Sequence, residues 1–226
     1  MKIIAYIYTD FPEKFGIPRQ SGLIEELKGR IVFEPEYRIP EAVKGLEKFN
    51  YIWLLWQFQD TEREHWSATV RPPRLGGRQR MGVFATRSPF RPNPIGLSSV
   101  KLEKIEMTEK GPVLHVAGID LRNRTPIYDI KPYLPFADCH ADAREGFAGE
   151  VKENSLQVDF PVELQKILPP EKRKAACEVL GQDPRPRYQM NPAQKYGMAF
   201  AGYDIHFCVE ENVLKVFEVE KKMEED

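Results

Sequence analysis

LSSVKLEKIEMTEKGPVLHVAGID, residues 97–120, decides how the chain is read. Val100 and Leu102 recur on one side of the first arm, and Leu114 and Val116 alternate with His115 and Ala117 on the second. Glu109-Lys110-Gly111 lies between them as a charged turn. A period of two on both arms of a turn is the pattern of a β-hairpin with one apolar face.

Working outward, the same β character recurs. Met1 to Tyr8, Arg30 to Tyr37, Met81 to Thr86 and Thr125 to Tyr133 read as strands, and Asn50 to Phe58 as a strand buried on both faces. Trp53, Trp56 and Phe58 read as core. Thr9–Gly22, Val70–Arg80 and Ser88–Gly96 are loops crowded with Pro and Gly. Only Pro40 to Phe49 reads as a helix here, with Pro at its start and Ala42, Val43 and Leu46 on one face. Strands without regular crossover helices, and without G-x-G-x-x-G, argue against a parallel Rossmann sheet.

The character changes near residue 140. Cys139 to Asn154 is small, polar and acidic, as a linker is. Val162–Leu168 and Glu171–Leu180 read as two short helices parted by Pro169-Pro170, with Gly181 as a cap. Met198–Val209 and Asn212–Val219 read as a closing hairpin. The expectation is a mainly β domain over residues 1–140 and a small α+β domain over 155–226.

Composition excludes more than it selects. The 226 residues carry 33 basic and 34 acidic side chains, a net charge of -1, so any nucleic-acid footprint must be local. Three scattered cysteines argue against a disulfide framework, and four scattered histidines against a metal site. Cys139 and His140 are adjacent, so on a strand they would face opposite ways rather than form a dyad. No apolar run approaches a membrane span, and the N-terminus lacks a signal peptide, so a cytoplasmic protein is expected.

Four clusters carry chemistry. GVFATRSPFRPNPIG, residues 82–96, sets Arg87 and Arg91 among prolines that stiffen the loop, which suits carboxylate or phosphate binding. It also fits a rigid crossover loop whose arginines pair with acids elsewhere. GIDLRNRTPIYDIKPYLP, residues 118–135, ends a strand on Asp120, a position where a carboxylate can accept from ribose hydroxyls. Its Asp129 and Lys131 share a face if extended, and also fit a solvated ion pair. VRPPRLGGRQR, residues 70–80, offers Arg71, Arg74 and Arg78 to phosphates, or is an ordinary solvated loop. DPRPRYQ, residues 183–189, puts Arg185 and Arg187 beside Tyr188, which suits backbone contact with base stacking. PRQSG at 18–22 is weak alone.

Together, PRQSG at 18–22, RPPRLGG at 71–77, GVFATRSPFRPNPIG at 82–96, TPIYDIKPYLP at 125–135 and DPRPRY at 183–188 resemble the TrmO family of tRNA methyltransferases. The resemblance implies an antiparallel β-barrel methyltransferase working as a homodimer. It implies S-adenosyl-L-methionine as donor, and tRNA bearing threonylcarbamoyladenosine beside the anticodon, methylated at adenine N6. Carried over by motif, the donor falls to Pro18, Arg19, Gln20, Gln59, Asp60, Arg87, Leu97, Asp120, Leu121, Arg122 and Asn123. The chain departs from the family pattern at Gln59-Asp60, where members carry His-Gln, and at Arg122–Arg124, where they carry an acidic or glycine-containing turn.

Asp129 is then the expected base for the N6 proton, with Tyr128 and Lys131 positioning the substrate. Arg91 or an arginine of the basic loop would clamp the threonyl carboxylate. Arg185, Arg187 and Tyr188 would grip the anticodon stem, so removing residues 155–226 would spare donor binding. The alternatives are a noncatalytic RNA-binding module, and a methyltransferase for a small molecule or a protein.

Overall fold

In the computed structural model, which describes residues 1–59, 66–75, 79–150, 155–185 and 194–222, the hairpin read at 97–120 is present, its first arm starting at Ile95 and its second ending at Ala117. The first half of the chain forms β1 (Ala5–Thr9), β2 (Lys28–Phe33), β3 (Tyr51–Gln57), β4 (Thr69–Val70), β5 (Met81–Gly82), β6 (Ile95–Thr108), β7 (Gly111–Ala117) and β8 (Thr125–Pro132). Six of these close into an antiparallel barrel in the order β1-β2-β7-β6-β3-β8, and β4 with β5 forms a two-stranded ribbon. Closure leaves the barrel without an unpaired edge.

The alternation in sequence is the alternation in space. In β3, Ile52, Leu54 and Trp56 are buried while Tyr51, Trp53, Leu55 and Gln57 are not. The expectation of a strand buried on both faces is therefore corrected: one face meets the barrel core and the other is partly wet. Trp53 packs beside Tyr133 and donates its Nε1–H to Asp138, which anchors the single turn α1 (Pro135–Asp138).

Further expectations change: the strand read over Arg30–Tyr37 runs Lys28–Phe33, and Pro35–Tyr37 make a 3-10 turn. Residues 40–49 form two 3-10 turns, Pro40–Val43 and Leu46–Lys48, because Gly45 takes φ 89° between them and no continuous helix can pass. Residues 81–86 are strand only at Met81–Gly82, after which Val83–Ala85 make a 3-10 turn.

Beyond α1 come α2 (Phe147–Glu150), β9 (Gln157–Asp159), α3 (Val162–Gln165), α4 (Pro170–Gly181), β10 (Tyr196–Phe200), β11 (Tyr203–Glu210) and β12 (Val213–Lys221). They build a four-stranded sheet in the order β10-β11-β12-β9, with β9 parallel to β12. The expected single strand from Met198 to Val209 breaks at Ala201-Gly202, both in left-handed conformation, so the hairpin becomes a three-stranded meander. Gly181 closes α4 as its last residue, and Asp183, φ 51°, makes the left-handed turn.

One buried cluster runs through barrel and sheet alike. The first loop joins them: Phe11 is fully buried with its ring 5.2 Å from Phe200, and Phe15 stacks on Tyr196 and Phe207. Ala201 donates its N–H to the Asp10 carbonyl, and Lys172 of α4 pairs with the Asp10 carboxylate at 2.6 Å. Gly16 has φ 89° and lies under Met198, leaving no room for a Cβ.

Candidate active site

The first loop, the loop before β6 and the turn after β7 meet at Asp120. The tie is made by backbone first. Gly22 donates its N–H to the Gly118 carbonyl at 2.8 Å, and the two chains approach so closely that a Cβ on Gly118, already at φ 71°, would touch the Gly22 backbone. Thr9 holds the far side: its hydroxyl donates to the Leu121 carbonyl and its N–H to Asn123 Oδ1. Asn123 and Arg124 then donate their backbone N–H groups to Phe11 and Ile7.

Asp120 itself is largely buried. It accepts a 2.7 Å hydrogen bond from the Ser98 hydroxyl and another from the Ser21 backbone N–H, with the Arg87 guanidinium nearby. Burial, only partly offset by these partners, pushes its pKa up to about 6 from the ordinary 3.8. Arg87 donates to Gln20 Oε1, which links the proline-rich loop to PRQSG. Gln59, at the end of β3, donates its amide to the Arg124 carbonyl at 2.9 Å, while its Oε1 is buried without a hydrogen-bond partner among the described residues.

Residues near Pro18–Gln20, Arg87 and Asp120 are thus brought together within one chain. The other expected donor residues are placed variously. The side chain of Leu121 is in the core, so only its backbone is available to a ligand. The side-chain oxygen of Asn123 is engaged by Thr9. Arg122 has its Nε buried, and Leu97 is exposed on the outer barrel face, opposite Leu55.

Asp129 is placed by a β-bulge. Leu55 pairs with Asp129 and Trp56 with Ile127, so Tyr128 is the extra residue. Ile127 and Ile130 pack on the core, which turns Tyr128 and Asp129 outward in succession instead of on opposite faces. Tyr128 donates its hydroxyl to Gln57 Oε1, and Lys131 Nζ lies 3.0 Å from Asp129 Oδ2. Leu97 and Asp129 flank Leu55 on the two neighbouring strands, about 10 Å apart by strand spacing.

The arginines divide. Arg71 is exposed, and Arg80 donates to Thr69 Oγ1. Arg91 donates to the Thr86 carbonyl and so helps shape its own loop. Arg185 makes a two-pronged pair with Asp183 at 2.7 and 2.9 Å, with its side chain only 10% exposed. Asp60, Arg78, Arg187 and Tyr188, and the side chain of Arg74, lie outside the described residues. Among the described residues no group of three or more His, Cys, Asp or Glu gathers, and no helix is long and apolar enough to cross a membrane.

Sequence reading missed Ser98. Its signal was a polar residue on the inward side of a strand, in phase with Val100 and Leu102.

A closed antiparallel barrel, not a parallel Rossmann sheet, gathers a carboxylate, an arginine and a stiff proline loop at one rim. The model of the tRNA-methyltransferase O N-terminal domain matches residues 6–139, and that of the TrmO C-terminal domain matches residues 153–222; the chain belongs to the TrmO family. The tRNA (adenine(37)-N6)-methyltransferase of Escherichia coli (strain K12) is 40% identical over 97% of each chain. A putative S-adenosylmethionine-dependent methyltransferase, RcsF, of Pseudomonas aeruginosa is 39% identical over 90% of each. A crystal structure of TrmO from P. aeruginosa superposes with a TM-score of 0.76 at 34% identity, covering 97% of this chain and 95% of that one.

Proposed function

We propose that this enzyme transfers a methyl group from S-adenosyl-L-methionine to N6 of adenosine 37 in tRNA, with threonylcarbamoyladenosine as the substrate base. The observation that carries the reading is the convergence of Ser21, Arg87 and Ser98 on Asp120, with Gln20 held by Arg87, in a chain whose relatives are named for this reaction.

The residues present fit such a donor. Its sulfonium, when bound, supplies an electrophilic methyl. The Asp120 carboxylate can accept from ribose hydroxyls or from the α-ammonium, and its negative charge favours a cationic ligand. Arg87 suits the donor's carboxylate. Gln59 Oε1, buried without a hydrogen-bond partner among the described residues, can accept from an amine.

Asp129 is the proposed base. The accepting nitrogen belongs to a urea-like group with a delocalised lone pair, so removal of its proton accompanies attack. The bulge presents the carboxylate on the outer barrel face beside the Tyr128 hydroxyl, where a base can take the proton from a nitrogen that itself lies in line with the donor methyl and sulfur. Lys131 holds Asp129 by its second oxygen. An exposed arginine of the basic loop, such as Arg71, is the better clamp for the threonyl carboxylate, since Arg91 already serves its own backbone.

Near that loop, the exposed rings of Trp66 and Phe84 lie 6.2 Å apart and offer unstacked anticodon bases a platform. We assign residues 1–140 to donor binding and catalysis, and 155–226 to tRNA contact and support of the first loop. A homodimer acting in the cytoplasm completes the reading. The test is mass analysis of nucleosides after incubating protein and donor with tRNA that carries or lacks the threonylcarbamoyl group. A gain of one methyl on the modified adenosine alone is expected; methylation of neither overturns the proposal, and equal methylation of both overturns its substrate.

A further inference from the structure

The wall behind Asp120 contains a hydrogen-bonded series that the proposed reaction leaves unexplained. Trp56 is 8% exposed and Ser98 1% exposed, and they sit on adjacent barrel strands, β3 and β6. The indole Nε1–H donates to Ser98 Oγ at 3.0 Å, and Ser98 Oγ donates to Asp120 Oδ1 at 2.7 Å. The polarity of this series is forced. An indole N–H can only donate, so the serine oxygen accepts there, and its single hydrogen points at the carboxylate. Gly96 makes the arrangement possible: it pairs with Trp56 across the two strands, and any Cβ there would collide with the indole ring. The series therefore depends on a glycine inside a strand, at a place where a side chain would ordinarily strengthen it.

We infer that Trp56 and Ser98 are positioning residues for methyl transfer, orienting the Asp120 carboxylate toward the donor through a one-way hydrogen-bond relay. The inference rests on the assignment of Asp120 to donor binding. Both act through Asp120. Without the indole, the serine hydroxyl could rotate away; without the hydroxyl, the carboxylate would lose its one side-chain donor from β6. Among the described residues, Asp120 is faced by Ser98 of β6, its own backbone N–H, the Ser21 backbone N–H of the first loop and the Arg87 guanidinium of the loop before β6. Removing Ser98 thus takes away a main stabiliser of the ionised form, and the proton is retained to higher pH.

The experiment is calorimetric titration of S-adenosylhomocysteine into the full-length protein from pH 5 to 8. Ser98→Ala, Trp56→Phe, Ser98→Thr, Asp120→Asn and the Ser98→Ala/Asp120→Asn double variant are compared, with thermal unfolding of each. Wild-type affinity should fall as pH drops through about 6. Ser98→Ala should bind about tenfold more weakly at pH 7, as expected for losing a hydrogen bond to a charged group, with its midpoint moved to higher pH. Trp56→Phe should move both in the same direction by less, and Ser98→Thr should restore the midpoint. In the Asp120→Asn background, Ser98→Ala should add nothing, because its partner's charge is gone. If Ser98→Ala lowers the melting temperature but leaves affinity and midpoint where they were, while Asp120→Asn binds weakly, the relay is wrong and the donor site stands. If Asp120→Asn binds as tightly as wild type, the donor site itself is wrong.

Discussion

Phe11, fully buried in the first loop, packs its ring against Phe200 of β10 at 5.2 Å, so the loop that carries PRQSG is braced by the C-terminal sheet. Phe200→Ala should therefore do two things. It should cost about 3–5 kcal/mol of stability, as a buried phenylalanine does. It should also weaken donor affinity, although Phe200 lies in the part of the chain proposed to meet tRNA. Denaturant unfolding and donor titration check the pair. The sequence alone pointed the other way, to a C-terminal part whose removal spares donor binding; unchanged affinity in Phe200→Ala would favour that earlier view.

Asp120 makes stability depend on pH in an unusual direction. Its carboxyl is held near pKa 6 in the folded chain against 3.8 ordinarily, so the native state binds more protons between those values. Stability from this group falls as pH rises through that window, and the penalty is fully present above it. The raised value corresponds to roughly 3 kcal/mol. Asp120→Asn should be more stable than wild type at pH 8 while binding donor less well, and the stability gap should close by pH 4. Unfolding in urea at several pH values measures it.

Asp129→Asn should leave donor affinity unchanged and lower the single-turnover methylation rate by 10²-fold or more, roughly the contribution of a positioned base. A normal single-turnover rate would remove Asp129 from the mechanism.

Arg124 has φ 62° in the turn leading into β8. A side chain there costs roughly 1–2 kcal/mol. Its N–H bond to Ile7 and the Gln59 bond to its carbonyl are both backbone contacts. Arg124→Gly should keep them, be neutral to about 1 kcal/mol stabilising, and retain activity. Thermal unfolding and a turnover assay decide this.

What was legible in the chain follows from range. The hairpin around Glu109-Lys110-Gly111 announces itself by alternation, a local property, whereas the bulge that sets Tyr128 and Asp129 on one face breaks that pattern in Thr125–Pro132. The break at Ala201-Gly202 was hidden, because Ala201 adopts a left-handed conformation that its side chain does not advertise. Gly45 interrupts residues 40–49 for the same kind of reason. At the site, Arg87 and Asp120 stood out as motif residues, yet their meeting depends on Gly22 finding Gly118 across 96 positions of sequence. Trp56 was read correctly as core, but its second task needs the register of β3 on β6, which one sequence does not reveal. Arg185 was read as free for phosphate, and its fork is taken by Asp183 two residues away.

Arg87 and Asp120 at the barrel rim are the centre of the proposed donor pocket. Titrating S-adenosylhomocysteine into Arg87→Ala beside wild type tests it most directly. A loss of at least tenfold in affinity, with the melting temperature of the free protein unchanged, is the predicted result; equal affinity in the two proteins would contradict it.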